Sequence, residues 1–141
     1  MIAEFFNLEK AGVQPVAALL HLCAKYMDRR VLLWCEDDNQ ASYLDNELWT
    51  WTPESFLPHG MAHEPDADHE PVLLCGRLNN LNQARVLILA YNPAADWLPP
   101  AGFERVVELI PLSSGPPLEA CRQRYRQLGK IARLVHTTSL G

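Results

Sequence analysis

The sequence predicts a single-domain α/β protein, with a mostly parallel sheet and helices on both faces, Rossmann-like but lacking a dinucleotide-binding fingerprint. Three observations predict it. Short apolar runs alternate with longer helical segments along the chain, the pattern of strands feeding crossover helices. Val31-Leu32-Leu33-Trp34-Cys35 is apolar at every position, as a strand covered on both faces requires. The length of 141 residues, 48% hydrophobic, supplies one core and leaves little for a second domain.

The elements follow in order. Ala3 to Leu8 is short and aromatic-rich and reads as the first strand, closed by a turn region over Glu9 to Gln14. Pro15 opens a helix through Met27, because a proline in the first helical turn gives up an N–H that has no partner there anyway. Arg30 to Cys35 is the second strand, and Glu36-Asp37-Asp38 places negative charge where a helix from Asp38 to Trp49 begins. Pro53, Pro58 and Gly60 then break regular structure, and residues 60–71 read as a solvated loop. Strands return at Val72 to Cys75, Arg85 to Tyr91 and Phe103 to Leu109, with the proline-rich stretch Asn92 to Gly102 irregular. Pro116-Pro117 introduces a last helix expected to run to about Val135, leaving residues 136–141 as a frayed tail of the single domain 1–141.

Composition narrows the function. The longest apolar runs, Val16 to Cys23 and Val86 to Tyr91, are too short to span a bilayer, and the first residues carry no basic leader. A cytoplasmic protein without membrane contact is the expectation. Cys23, Cys35, Cys75 and Cys121 lie far apart in apolar segments and form no C-x-x-C pair, so they read as buried free thiols. A net charge of −5 speaks against a protein that coats nucleic acid unaided, since such binding rests on neutralising phosphates. The charge is unevenly spread: residues 1–99 hold 6 Lys and Arg against 14 Asp and Glu, residues 100–141 hold 6 against 3. The basic end is where an anionic partner is expected.

Catalytic readings find little support. The turn after the first strand, Glu9 to Pro15, has neither G-x-G-x-x-G nor a phosphate loop, so no nucleotide cofactor is expected. His59, His63 and His69 share a loop with Glu64, Asp66, Asp68 and Glu70, a donor set that suits a divalent metal, but the loop has few apolar residues to preorganise it, and a mobile acidic loop is the simpler reading. Neither Ser nor Cys residues show the local signature of an activated nucleophile.

The last helix is more informative. At about 100° per residue, Leu118, Cys121, Tyr125, Leu128 and Ala132 fall on one side and are expected to face the sheet, while Arg122, Arg126, Lys130 and Arg133 form a stripe beside them. Glu119 is the one acid after Glu108. Such a row suits carboxylates or phosphates, on an acidic peptide with an apolar anchor or on a nucleic-acid backbone; the ordinary alternative is a solvated basic face. Trp49, Trp51, Phe56 and Leu57 form a second dense group, either core or a protein-binding spot.

These two regions also carry a resemblance. Val31-Leu32-Leu33-Trp34-Cys35-Glu36-Asp37, Gln40-Ala41, Leu44-Asp45, Leu48-Trp49 and Glu54-Ser55-Phe56-Leu57-Pro58-His59 resemble a signature of the chi subunit family of bacterial DNA polymerase III, as do Phe103 to Pro111 and Arg122-Gln123-Arg124-Tyr125-Arg126. The resemblance implies a non-catalytic clamp-loader accessory subunit for DNA replication, pairing with the psi subunit and gripping the acidic, Phe-terminated tail of the single-stranded DNA-binding protein, with little direct DNA binding. By position it implies a tail site of Arg122, Tyr125, Arg126, Ile110 and Lys130, and a psi surface of Trp49, Phe56 and Leu57. The family's Lys one turn before the first Arg is Leu118 here, and Ser113-Ser114-Gly115-Pro116-Pro117 also departs from the pattern. The competing reading is a nucleic-acid-binding module acting directly through the basic helix.

Overall fold

A computed structural model describes residues 1–50 and 57–140. Seven strands form one sheet: β1 (Ile2–Asn7), β2 (Val31–Trp34), β3 (Gly60–Met61), β4 (Val72–Cys75), β5 (Val86–Leu89), β6 (Arg105–Ile110) and β7 (Arg133–Thr137). Their spatial order is β3-β4-β2-β5-β6-β1-β7, and every neighbouring pair is parallel. β2, β4 and β5 are buried at all four positions, which is why their sequences are continuously apolar rather than alternating.

The helices lie on both faces, as expected. α1 (Leu8–Ala11) and α2 (Pro15–Tyr26) follow β1, α3 (Asp38–Thr50) follows β2, and α4 (Pro116–Leu128) joins β6 to β7. On one face α2 and α3 bury Leu19, Leu22, Leu44 and Leu48 against Phe6, Leu33, Leu74 and Ile88. On the other, β6 and β7 flank β1, so the crossover carries α4 over β1, where Cys121 and Leu128 meet Ala3 and Phe5. The remainder of that face, including Leu32, Leu73, Leu87 and Leu89, is covered by Ala67, Ala84, Phe103 and Trp97 from connecting segments.

Local chemistry sets the boundaries. The Asn7 side chain accepts the Lys10 N–H to start α1, and Gly12, in the left-handed region at φ 69°, stops it after one turn. The acidic turn starts α3 as expected, with Asp37 Oδ1 accepting the Gln40 N–H at 2.8 Å. The turn after β4 presses on it closely, for a Cβ at Gly76 would stand 2.4 Å from Asp38 Oδ1 and 2.7 Å from Asp37 backbone.

Four expectations are corrected. The turn region after the first strand holds the one-turn helix α1, and residues 60–71 contain β3 and a short 3-10 turn over Ala67–His69. The last helix ends at Leu128 rather than near Val135, because Gly129 forfeits helix stability and the chain turns back, with Lys130 N–H donating to Gln127 O and Ile131 N–H to Leu128 O. Residues 133–137 become β7, so His136 and Thr137, assigned to a frayed tail, lie opposite Phe5 and Phe6 of β1.

Candidate functional site

α4 divides into a buried and an outward face. Cys121, Arg124 and Leu128 are buried, and Arg122, Tyr125 and Arg126 project outward. Tyr125, expected to pack on the sheet, is 42% exposed. Its ring stands edge-on to buried Phe5 with centroids 5.0 Å apart, so one side is anchored and the other is open to a partner. Ile110, half-buried at the end of β6, packs on the same cluster of Ala3, Phe5, Cys121 and Leu128. An apolar floor and two cations therefore share one face of the molecule.

The cations are largely uncommitted. Arg122 meets Glu119 at 3.0 Å, but both side chains are more than half exposed, and such pairs contribute about 0–1 kcal/mol. Arg126 has no ion pair among the described residues and lines a groove of about 460 Å³ with Ala95, Asp96, Leu98, Gln123 and Gln127. Lys130 and Arg133, expected to continue the helical stripe, lie beyond the helix end, Lys130 in the turn and Arg133 at the start of β7.

Sequence reasoning missed the arginine between Arg122 and Arg126. Arg124 is completely buried, and its guanidinium donates to both Glu108 oxygens, to the Pro93 and Ala94 carbonyls, and to Asn92 Oδ1. It ties α4 to β6 and to the segment after β5, fixing the wall of the groove beside Arg126. The signal was present: at two residues from Arg122 it falls about 200° away, in register with Cys121 and Leu128. A second buried network is formed by Glu4, which accepts from Tyr26 (2.5 Å), Arg105 (2.6 Å) and Thr137 (3.0 Å).

The second region is only partly brought to the surface. Trp49 is 51% exposed on α3, its ring centroid 4.1 Å from that of His59. Leu57, expected at the psi surface, is 5% exposed and belongs to the core with Leu44, Leu48 and Met61. Phe56 and Trp51 lie outside the described residues. His59, first grouped with possible metal ligands, is buried and structural, its ring nitrogens 2.7 Å from the Leu57 carbonyl and 3.2 Å from the Asp45 carboxylate. His63 and His69 are exposed, and no three His, Cys, Asp or Glu side chains among the described residues group as a metal site.

Nor do the cysteines offer a nucleophile. All four are free and buried, and burial pushes the thiols of Cys23 and Cys121 up to about 12 and that of Cys75 to about 11. Cys35 is raised as well, chiefly by burial and then by the neighbouring Cys75. A thiol that stays protonated at neutral pH attacks poorly.

A family model described as DNA polymerase III chi subunit, HolC, matches residues 1–132. The chain is 31% identical to DNA polymerase III subunit chi of Escherichia coli over 70% of its own length and 65% of that protein's. The corresponding subunit of Haemophilus influenzae is 27% identical over 99% of this chain and 97% of its own length. That of Pseudomonas aeruginosa is 34% identical over 69% of this chain and 65% of its own. The matched segments thus span just under two thirds of the Escherichia and Pseudomonas proteins and nearly all of the Haemophilus one.

Proposed function

We propose, on the premise that this chain belongs to the DNA polymerase III chi subunit family, that it is a replisome adaptor linking the psi subunit to the acidic C-terminal tail of single-stranded DNA-binding protein. It is an accessory subunit with no catalytic site of its own and acts in the cytoplasm. The observation that carries the reading is the outward face of α4, where Arg122 and Arg126 flank a half-exposed Tyr125 seated on Phe5. Guanidinium forks match carboxylates, and the apolar floor of Tyr125 and Ile110 takes one aromatic side chain. The terminal carboxylate pairs with Arg122 after displacing Glu119, the terminal Phe settles near Ile110 and Tyr125, and acidic residues farther along are drawn to Arg126 and Lys130. Binding is modest for one peptide and grows through local concentration when several tails are offered by one oligomer. Trp49, with Phe56 seven residues on, serves the psi surface.

Calorimetric titration with a peptide ending in Asp-Phe tests the tail site. The peptide binds, the same peptide without its terminal Phe binds far more weakly, and Arg122→Ala costs about 1.5–3 kcal/mol, the scale of hydrogen bonds to a charged group. Equal affinity of the variant and the parent removes Arg122 from the site. For the second surface, Trp49→Ala and Phe56→Ala lose psi in a pulldown while keeping the tail peptide; loss of the peptide instead contradicts two separate surfaces.

A further inference from the structure

β7 closes one side of the sheet, and its outer edge is open. It pairs with β1 and has no neighbour beyond it among the described residues. In an extended strand the N–H and C=O of one residue point to the same side, and the side alternates from residue to residue. Arg133 N–H donates to Met1 O, so the backbone groups of 133, 135 and 137 face β1, and those of Leu134 and His136 face outward. Neither outward pair is hydrogen-bonded within the described residues. No proline lies in β7 and no bulge interrupts its register with β1, two of the devices that keep a free edge from pairing.

The margin beside this edge is apolar and basic. Leu134 packs with Phe5 of β1 and Leu128 of α4, so side chains 134 and 136 share the α4 face. His136 lies opposite Phe5, the ring on which Tyr125 stands, so Tyr125 and the open edge border one strip of surface. Lys130 and Arg133, at the amino end of β7, are exposed and have no ion pair among the described residues. Arg122 lies toward the other end. α4 runs back against the parallel strands, for Pro117 near its start accepts from Asn92 beyond β5, and Gly129 at its end abuts Leu134. Three residues before Tyr125, Arg122 is therefore about 4.5 Å nearer the carboxyl ends of the strands.

We infer that the acidic tail is held along this edge as an eighth strand of the sheet, parallel to β7. The inference rests on the tail site proposed above and adds how the peptide backbone is held. With the terminal carboxylate at Arg122 and the Phe beside Tyr125, the residues upstream run toward the amino end of β7, where Arg133 and Lys130 meet their carboxylates. From Arg133 to Thr137 the strand rises about 3.3 Å per residue, roughly 13 Å in all, the reach of about four peptide residues. Leu134 and His136 each donate an N–H to the peptide and accept one from it. Such pairing supplies affinity for any extended segment, and the cations select an acidic one. A second copy of this chain fits less well, because joining two β7 edges sets one basic margin against another.

Amide hydrogen exchange of the full chain, followed by NMR with and without the peptide ending in Asp-Phe, tests this. In the free chain the Leu134 and His136 amides exchange quickly and those of Val135 and Thr137 slowly; saturation with peptide slows Leu134 and His136 by about tenfold or more. His136→Pro removes an outward N–H, leaves the bonds to β1 in place, and weakens the peptide about tenfold or more. If the peptide binds and Arg122→Ala weakens it, yet both amides exchange as before or His136→Pro binds like the parent, the tail site stands and the added strand is overturned. No binding of the peptide by the parent removes the tail site and the added strand together. Slowing of the two amides with rising protein concentration alone assigns the edge to self-association and overturns the inference. Where His136→Pro fails to fold, the exchange of the parent's two amides decides.

Discussion

Arg124 shows how one side chain makes a surface possible without belonging to it. Fully buried, it is tolerated because Glu108 neutralises it and two backbone carbonyls and Asn92 fill its remaining donors. The pair is not a large net source of stability, since desolvating two charges offsets most of their attraction, but halving it strands a charge. Arg124→Ala therefore destabilises by about 3–5 kcal/mol, whereas Arg124→Met with Glu108→Leu, which removes both charges at similar volume, costs much less. Urea unfolding of the two variants gives the comparison; equal losses indicate that packing rather than charge governs the position. Arg122 and Arg124 are indistinguishable by residue type and differ only in angular position on α4, so the sequence carried both roles but only the helical period separates them. Leu57 went the other way: grouped by sequence with Trp49 and Phe56, it packs in the core with Leu44 and Leu48 of α3, a placement that no local pattern encodes.

At the level of elements, legibility followed whether a segment's signal was local. α2, with its opening proline, and α3, with its acidic start, were readable because caps act within one turn. The strands β2, β4 and β5 were readable because burial on both faces leaves an uninterrupted apolar run. β3 and β7 were not: Gly60–Met61 is too short to show a period, and Arg133–Thr137 is an edge strand whose half-polar sequence continues a helical pattern until Gly129 ends it. The correction matters for the site, because it shortens the helical cation stripe to Arg122 and Arg126 and sends Arg133 to the far edge of the sheet. Two substitutions probe the junction between the acidic turn and the turn after β4. Asp37→Ala removes the cap on α3 and costs about 1 kcal/mol. Gly76→Ala forces a Cβ against Asp37 backbone, which cannot rotate away, and destabilises by more than the cap does; circular dichroism melts rank them, and the reverse order places the strain elsewhere.

Over the whole molecule, the composition that makes one core from 141 residues also sets how the fold answers pH. Four thiols are buried, and each is raised above its ordinary value of 9.0 chiefly by burial; Tyr26 is raised too, by burial and then by its hydrogen bond to Glu4. A group with a raised folded-state value keeps its proton in the native chain when the unfolded chain has already lost it. The unfolded state then binds fewer protons, and stability falls as pH rises. Below about pH 9 the thiols contribute no slope, because they are protonated in both states. Above about 9 each raised thiol adds to the fall of stability with pH, because the unfolded chain gives up a proton that the buried thiol keeps. Urea midpoints for the parent should hold level from pH 7.5 to about 8.5 and drop steeply by about pH 10. Cys23→Ala, at a fully buried core position, lowers stability at neutral pH through the cavity it leaves and yet shows a shallower alkaline slope. A slope identical to the parent's would assign the loss at high pH to other groups that titrate there, lysines and tyrosines, and not to Cys23.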